Sequence, residues 1–497
     1  GGVEGGRFIL IHDICRVFDN VNKQEKAAQV LNRINSFLKF PPTPGQERFI
    51  RKFSEFAGDG EEGIFLLKGY AGTGKTTMMS ALTASFNNIV LLAPTGRAAK
   101  VLSSYSGKQA FTIHKHLYRP AITSDGRMML RLADNLYRKT LFIVDEASMI
   151  PDAAIDDVSS PFPGVNLLTD LVRYVYSGVS CRLMLVGDTA QLPPVHFSYS
   201  PALDPDHLQA KFARKVYHVE LTEVVRQQEQ SEILLNATHI RTLLKQEEVE
   251  KGSMKLLNKG DVERLNPRDL PETLHSLYKD YGKENVMVVT RSNKSAIQYN
   301  RLIRFQTLWM EDEIGGGDSL MIVKNNYHWL PEDHPAGFIA NGDVLEVQKV
   351  FRHEERFGFR FAMALLESGD HPDQPAFEAM IMLNTLNTEA PALSQGDQKK
   401  LFDALQVYYS EEETDKKRRN ALIRKDPYYN ALQVKFAYAV TCHKAQGGQW
   451  PVVFVDQGYL TDEMVNNEYY RWLYTAFTRS SEKLYLLNFD DKLILFS

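Results

Sequence analysis

Three short stretches carry residue types whose order suits phosphate chemistry. The first, GYAGTGKT (Gly69 to Thr76), follows the apolar run IFLLK and opens a helix-forming segment. Glycines let backbone N–H groups turn inward around an anion, a lysine reaches the β and γ oxygens of a nucleotide, and a hydroxyl suits Mg²⁺. Gly72, Thr73, Gly74, Lys75, Thr76 and Thr77 are therefore the candidate nucleotide ligands, with ATP and Mg²⁺ as the expected cofactors. The second stretch, LFIVDEAS (Leu141 to Ser148), is an apolar strand that delivers two carboxylates. Asp145 is expected to join Thr76 at Mg²⁺, and Glu146 to orient or deprotonate the attacking water. The third, RLMLVGDTAQLPPV (Arg182 to Val195), places Gln191 within reach of the γ-phosphate or its water and Asp188 where it can organise the loop. Two arginines farther along, Arg226 in LTEVVRQ and Arg479 in WLYTAFTRS, are candidates to stabilise charge on the transferred phosphoryl group from across a cleft. A glycine turn, a solvated Asp-Glu pair or a surface arginine is unremarkable alone. In this order they point to nucleotide hydrolysis.

The elements that must position these groups follow from the apolar pattern. IFLLK, IVLLA, LFIVDEA and RLMLVGD alternate with helical stretches, which predicts a parallel sheet with helical crossovers. VMVVT, PVVFVD and KLYLLNF form a second such set, so the chain reads as two α/β domains. Between the halves of the second set, from about 341 to 433, the character changes to long strand-like runs and then the charged segment EEETDKKRRN, which predicts an inserted β domain. The predicted division is an N-terminal helical extension over 1–40, a first domain over 41–222, and a second over 223–340 and 434–497. The segment KAAQVLNRINSFLKF gives the extension its amphipathic pattern.

Composition bounds the alternatives. A formal net charge of -4 over 497 residues excludes a globally basic coat and leaves room for a basic track along one cleft. Three widely spaced cysteines do not form a disulfide framework and suggest a reducing, cytoplasmic setting. No CxxC or HExxH motif appears, and no run approaches a membrane span of ~18 apolar residues.

The ordered set Gln46, GYAGTGKT, APTGRAAKVL, VDEAS, GDTAQLPPV, LTEVVRQ, TCHKAQG and YTAFTR resembles superfamily 1 helicases, in the RecD- and Dda-like group that moves 5′ to 3′ on single-stranded DNA. The resemblance covers roughly residues 41 to 497. It implies two RecA-like domains with ATP between them and single-stranded DNA across their tops. It also implies a strand-separating hairpin at about 115–139 and an SH3-like β-barrel at 341–433. TPGQ resembles the family's adenine-reading segment, which assigns that role to Gln46. PTGRAAK and FTIHKHL resemble its strand-contacting segments, nominating Thr95, Arg97, Thr112 and His114. In TCHKAQG, Thr441 and His443 are expected to face the nucleic acid, with Gln446 and Gly447 turned toward the nucleotide. Partners implied are single-stranded DNA and single/double-strand junctions, replication or repair proteins among them, with a monomeric chain. Two readings stand beside this one: an RNA- or RNP-remodelling helicase of the Upf type, and a nucleotide-gated DNA-binding scaffold with weak unwinding. The HKAQG and GDTAQLPP pairing and the lack of a Cys/His-rich domain speak against the first. The complete set Lys75, Glu146, Gln191, Arg226 and Arg479 speaks against the second.

Overall fold

Alternate side chains of the central strands face two separate cores, and this is what the continuous apolar runs of the sequence build. A computed structural model describes residues 24–38, 40–59, 62–122, 128–153, 166–225, 231–245, 256–257, 260–330, 338–369 and 374–495. In it six parallel strands form one sheet, in the order Ala110–Thr112, Ile89–Ala93, Leu141–Val144, Arg182–Gly187, Gly63–Gly69 and Lys215–Leu221. Ile64, Leu66, Phe142 and Leu185 enter the core on one face, while Phe65, Leu67, Ile143 and Met184 enter the other. Burial on both faces explains why these strands are apolar throughout. The amphipathic segment near the N-terminus forms a helix over 24–35 and buries Ile34 beside Phe49 and Phe53. Residues 1–23 of the expected extension lie outside the described residues.

A second parallel sheet runs Val262–Arg264, Ser480–Leu487, Trp450–Asp456, Val286–Thr290 and Ala439–Thr441. One face packs on the helix Asn467–Phe477 through Tyr470, Leu473 and Phe477. The other shares a core with a closed five-stranded barrel, where Val286, Val288 and Phe454 meet Leu320, Val347, Ala364 and Val434. That shared core seats the barrel on the second sheet. The barrel starts earlier than the composition change at 341 suggests: its strands are Ser319–Ile322, Val344–Arg356, Phe359–Ser368, Phe377–Met382 and Leu432–Phe436. The first strand is only four residues long and three of them pair with the last strand, so its local pattern does not separate it from the α/β segment that precedes it. The second half of the charged stretch opens the helix Lys416–Lys425, beside Gln395–Tyr408, between the last two barrel strands.

In the first domain the strands Tyr118–Ile122 and Met128–Leu132 pair antiparallel, from Tyr118 opposite Leu132 to Ile122 opposite Met128. This hairpin falls where the resemblance puts one; the residues 123–127 that join its strands are outside the described set. No described helix is long and apolar enough to cross a membrane. Polar candidates gather at the carboxyl ends of both sheets, the edge at which open α/β folds bind ligands.

Candidate functional site

The strand Gly63–Gly69 runs into the helix Lys75–Ser85 through a loop closed by Gly74, at φ 86°. The positive φ favours glycine here, and a Cβ on Gly74 would stand 2.3 Å from Gln46 Nε2, so any other residue would also displace that amide. The helices that begin at Pro44, Gly96, Ile113 and Leu167 each have a side-chain N-cap, from Thr43, Thr95, Thr112 and Asn166. The helix after Gly74 has none. Its first-turn N–H groups, on Lys75, Thr76 and Thr77, therefore point from a positive helix end with no protein cap, which is an anion site. Lys75 Nζ donates to the carbonyls of Gly69 (2.6 Å) and Tyr70 (3.0 Å) and lies 4.0 Å from Asp188 Oδ2.

Asp145 and Glu146 follow the strand Leu141–Val144. Asp145 accepts from Tyr105 Oη at 2.7 Å and from the Glu146 N–H at 2.8 Å. Glu146 has φ 51°, an uncommon conformation for a side-chain-bearing residue, and the tight turn aims its carboxylate across the cleft. There Arg479 Nη1 lies 3.7 Å from Glu146 Oε1. Gln191 joins the two: with its amide oxygen toward Arg479 and its nitrogen toward Glu146, it accepts from Nη2 at 3.1 Å and donates to Oε2 at 3.3 Å. Arg479 is 4% exposed and is held by the carbonyls of Thr475 and Gly448, both at 3.0 Å. Burial pushes the Glu146 carboxyl up from its ordinary value. Arg479 and Lys75 pull it back, while Asp145 and Asp188 add to the rise.

On the other side of this network lies a cleft of about 1030 Å³ between the two sheets and the barrel. Thr95, Arg97, Thr112 and His114 line it from the first domain, and His443 and Lys444 from the second. Its wall holds five Lys or Arg residues (Arg97, Lys100, Lys283, Lys324, Lys444) against Glu284 and Glu346, a basic track in an acidic chain. Burial lowers His114 to about 4, which leaves its ring neutral near pH 7, and burial also lowers His443. Lys444 is drawn down to about 8, first by burial and then by Lys435, and its Nζ donates to Asn341 Oδ1 at 2.7 Å.

Two family models match separate stretches of the chain: "AAA domain" over residues 43–265 and "UvrD-like helicase C-terminal domain" over 436–487. The ATP-dependent RecD2 DNA helicase of Deinococcus radiodurans is 30% identical over 281 residues, 53% of this chain and 34% of that protein. The ATP-dependent DNA helicase dda of Enterobacteria phage T4 is 30% identical over 168 residues, 32% of this chain and 34% of that one. Over these stretches the chain is similar to ATP-dependent DNA helicases. An uncharacterized protein of Acanthamoeba polyphaga mimivirus is 24% identical over 522 residues, 88% of this chain and 98% of that one. The chain spans about a third of the length of the two named helicases.

The residues singled out from sequence do not all fall together. Lys75, Glu146, Gln191 and Arg479 converge across the nucleotide cleft. Gln46 lies against the phosphate loop, where its Nε2 donates to Thr73 O at 3.4 Å while its Oε1 completes a capping box with Thr43. Gln446 turns the same way and donates to Leu192 O at 2.8 Å. Gly447, expected beside Gln446 on the nucleotide side, packs instead against the first domain: at φ 79°, its Cβ would stand 2.9 Å from Ala98 Cβ and 3.2 Å from Thr95 Oγ1. Thr441 ends the strand Ala439–Thr441 and is not on the cleft wall. Thr95 and Thr112 line that wall while capping the helices that follow them. Arg97 stacks over Trp450 at 4.3 Å. Arg226 lies outside the described residues.

Several contributors escape motif reading. Tyr105 holds Asp145 from the helix Gly96–Ser106, and a lone tyrosine there gives no signal. Arg471, Tyr474 and Thr475 are different, because their i, i+3, i+4 spacing puts them on one helical face ahead of Arg479.

Proposed function

We propose that the chain is an ATP-dependent DNA helicase that moves 5′ to 3′ along single-stranded DNA, driven by Mg-ATP hydrolysis between its two sheets. The observation that carries this is the Glu146–Gln191–Arg479 network, which brings a half-buried base and a buried arginine to one cleft from opposite domains. In this reading ATP phosphates take the uncapped N-terminus at Gly74–Thr77, and Lys75 leaves the Gly69 and Tyr70 carbonyls for the phosphate oxygens. Thr76 and Asp145 would hold Mg²⁺. Two hard oxygen donors suit an ion that keeps several of its waters, and Asp145 retains lone pairs beyond those used by Tyr105 and Glu146. When bound, the ion neutralises charge on the phosphates. Glu146 takes the proton of the attacking water, and Arg479 compensates charge on the transferred group.

The basic cleft suits a sequence-blind grip on the strand through phosphate contacts, with Arg97, Thr95, Thr112, His114 and His443 on its wall. Polarity is carried over from the RecD- and Dda-like resemblance, as are action at single/double-strand junctions and a monomeric chain. Forked duplexes bearing only a 5′ or only a 3′ tail provide the test. Unwinding with Mg-ATP is expected for the 5′-tailed substrate alone. Unwinding of the 3′-tailed substrate alone overturns the polarity, and hydrolysis without unwinding of either returns the scaffold reading.

One loop meets both ligands in this account, so its two faces should separate by mutation. His443→Ala should weaken single-strand binding about tenfold, a loss of ~1.4 kcal/mol, and leave basal hydrolysis near wild type. Gln446→Ala removes the 2.8 Å bond to Leu192 O. It should keep the strand affinity and lower the stimulation of hydrolysis by DNA. Equal phenotypes, in fluorescence binding and steady-state ATPase assays run side by side, would mean that the loop only supports the fold.

A further inference from the structure

The helix Asn467–Phe477 belongs to the second sheet, yet one of its faces is bonded to the nucleotide loops of the first. Tyr474 Oη accepts from the Ala71 N–H of the phosphate loop at 2.8 Å and donates to Asp188 Oδ2 at 2.6 Å. Thr475 Oγ1 accepts from the Leu192 N–H at 2.8 Å, and Arg471 Nη1 donates to Gln191 O at 3.3 Å. Tyr474 and Asp188 are each 1% exposed, so neither bond is exchangeable with water. Near its middle the same helix receives Cys442 Sγ on the Trp472 carbonyl at 3.5 Å, directly beside His443. One rigid element thus joins the phosphate loop to the loop that lines the cleft.

We propose that Tyr474 is a positioning residue whose hydroxyl makes nucleotide binding favour the docked arrangement of the two domains. The reason is the charge of Asp188. Besides the Ala190 N–H at 2.9 Å and the Tyr474 hydroxyl, Asp188 has Lys75 Nζ at 4.0 Å, and Arg471 on the same helix as Tyr474 adds a more distant positive charge. A bound phosphate draws Lys75 away, and a buried carboxylate that loses its cation depends on its remaining donors. The Tyr474 hydroxyl reaches Asp188 only while the helix is docked, so phosphate binding is worth more in the docked state. That differential is what a coupling free energy requires. Because the helix also abuts Cys442, docking is felt at the cleft that holds the strand.

The inference rests on the reading of an ATPase stimulated by single strands, and the experiment separates the two. Tyr474→Phe keeps the buried ring and deletes both hydroxyl bonds. The affinity for a fluorescent oligo(dT) is measured with and without a non-hydrolysable ATP analogue, together with basal and oligo(dT)-stimulated hydrolysis and the urea midpoint. Expected is a fall of about tenfold in the nucleotide dependence of oligo(dT) affinity, with a matching loss of stimulation. A purely structural role would lower the urea midpoint and move both rates together. Thr475→Val, which removes the acceptor of the Leu192 N–H and retains the tyrosine, should shift the same ratio in the same direction; it decides alone if the phenylalanine variant does not fold. A wild type indifferent to oligo(dT) defeats the helicase reading. A stimulated wild type matched by an equally stimulated, equally coupled variant defeats the role of Tyr474.

Discussion

Glu146→Gln should leave nucleotide binding in place and slow steady-state hydrolysis by about 10²- to 10⁴-fold, the range supplied by a positioned base. The substitution keeps the size of the side chain and its hydrogen-bonding oxygen while removing the group that takes a proton. Lys75→Ala should fail differently, because it removes the ammonium, now held by the loop carbonyls and Asp188, that would pair with the phosphates in the proposed function. Binding of a fluorescent ATP analogue should therefore be retained by Glu146→Gln and lost by Lys75→Ala. Fluorescence titration and phosphate release measure the two effects separately. Hydrolysis near the wild-type rate in Glu146→Gln would show that another group activates the water. The left-handed backbone of Glu146 adds a structural reason for expecting a role, since a strained turn at φ 51° persists only where surrounding contacts hold it.

What was legible in the sequence was whatever local pattern dictates. The strand-loop-helix order at 63–85 was legible because IFLLK is buried and GYAGTGKT breaks it with glycines. Val144 and Gly187 end buried strands, so the polar residues after them had to emerge at the same sheet edge as Lys75. Relations between distant segments were less legible. Gly447 and Gln446 are neighbours in sequence, and only the three-dimensional turn decides that one meets Thr95 and the other Leu192. The barrel's opening strand at Ser319 depends on pairing with Leu432–Phe436, more than a hundred residues later, and no local period announces it. Tyr474 lay inside a motif already singled out. Its partners, Ala71 and Asp188, are about 400 and 290 residues away, so the hydroxyl's task is visible only once the domains are docked.

Arg479→Ala should lower DNA-stimulated hydrolysis by about 10³- to 10⁵-fold, the range for an arginine that compensates charge on a transferred phosphoryl group. Two effects combine in that loss, and pH separates them. The first is direct, since the guanidinium is absent when charge builds on the transferred group. The second acts through Glu146, whose carboxyl is already raised by burial and is held down chiefly by Arg479. Without the arginine its folded-state value rises further, and the base must be deprotonated to work. The acid limb of the pH–rate profile should therefore move to higher pH in Arg479→Ala, and part of the lost rate should return as pH is raised. Arg479→Lys keeps the positive charge but cannot donate at once to Gly448, Thr475 and the Gln191 oxygen. Its acid limb should stay near the wild-type position while its plateau falls. Profiles of kcat between pH 5 and 9, at saturating ATP and single strand, test both statements. An unshifted acid limb in Arg479→Ala would mean that the arginine acts on the phosphoryl group alone, and that Glu146 owes its charged state to Lys75.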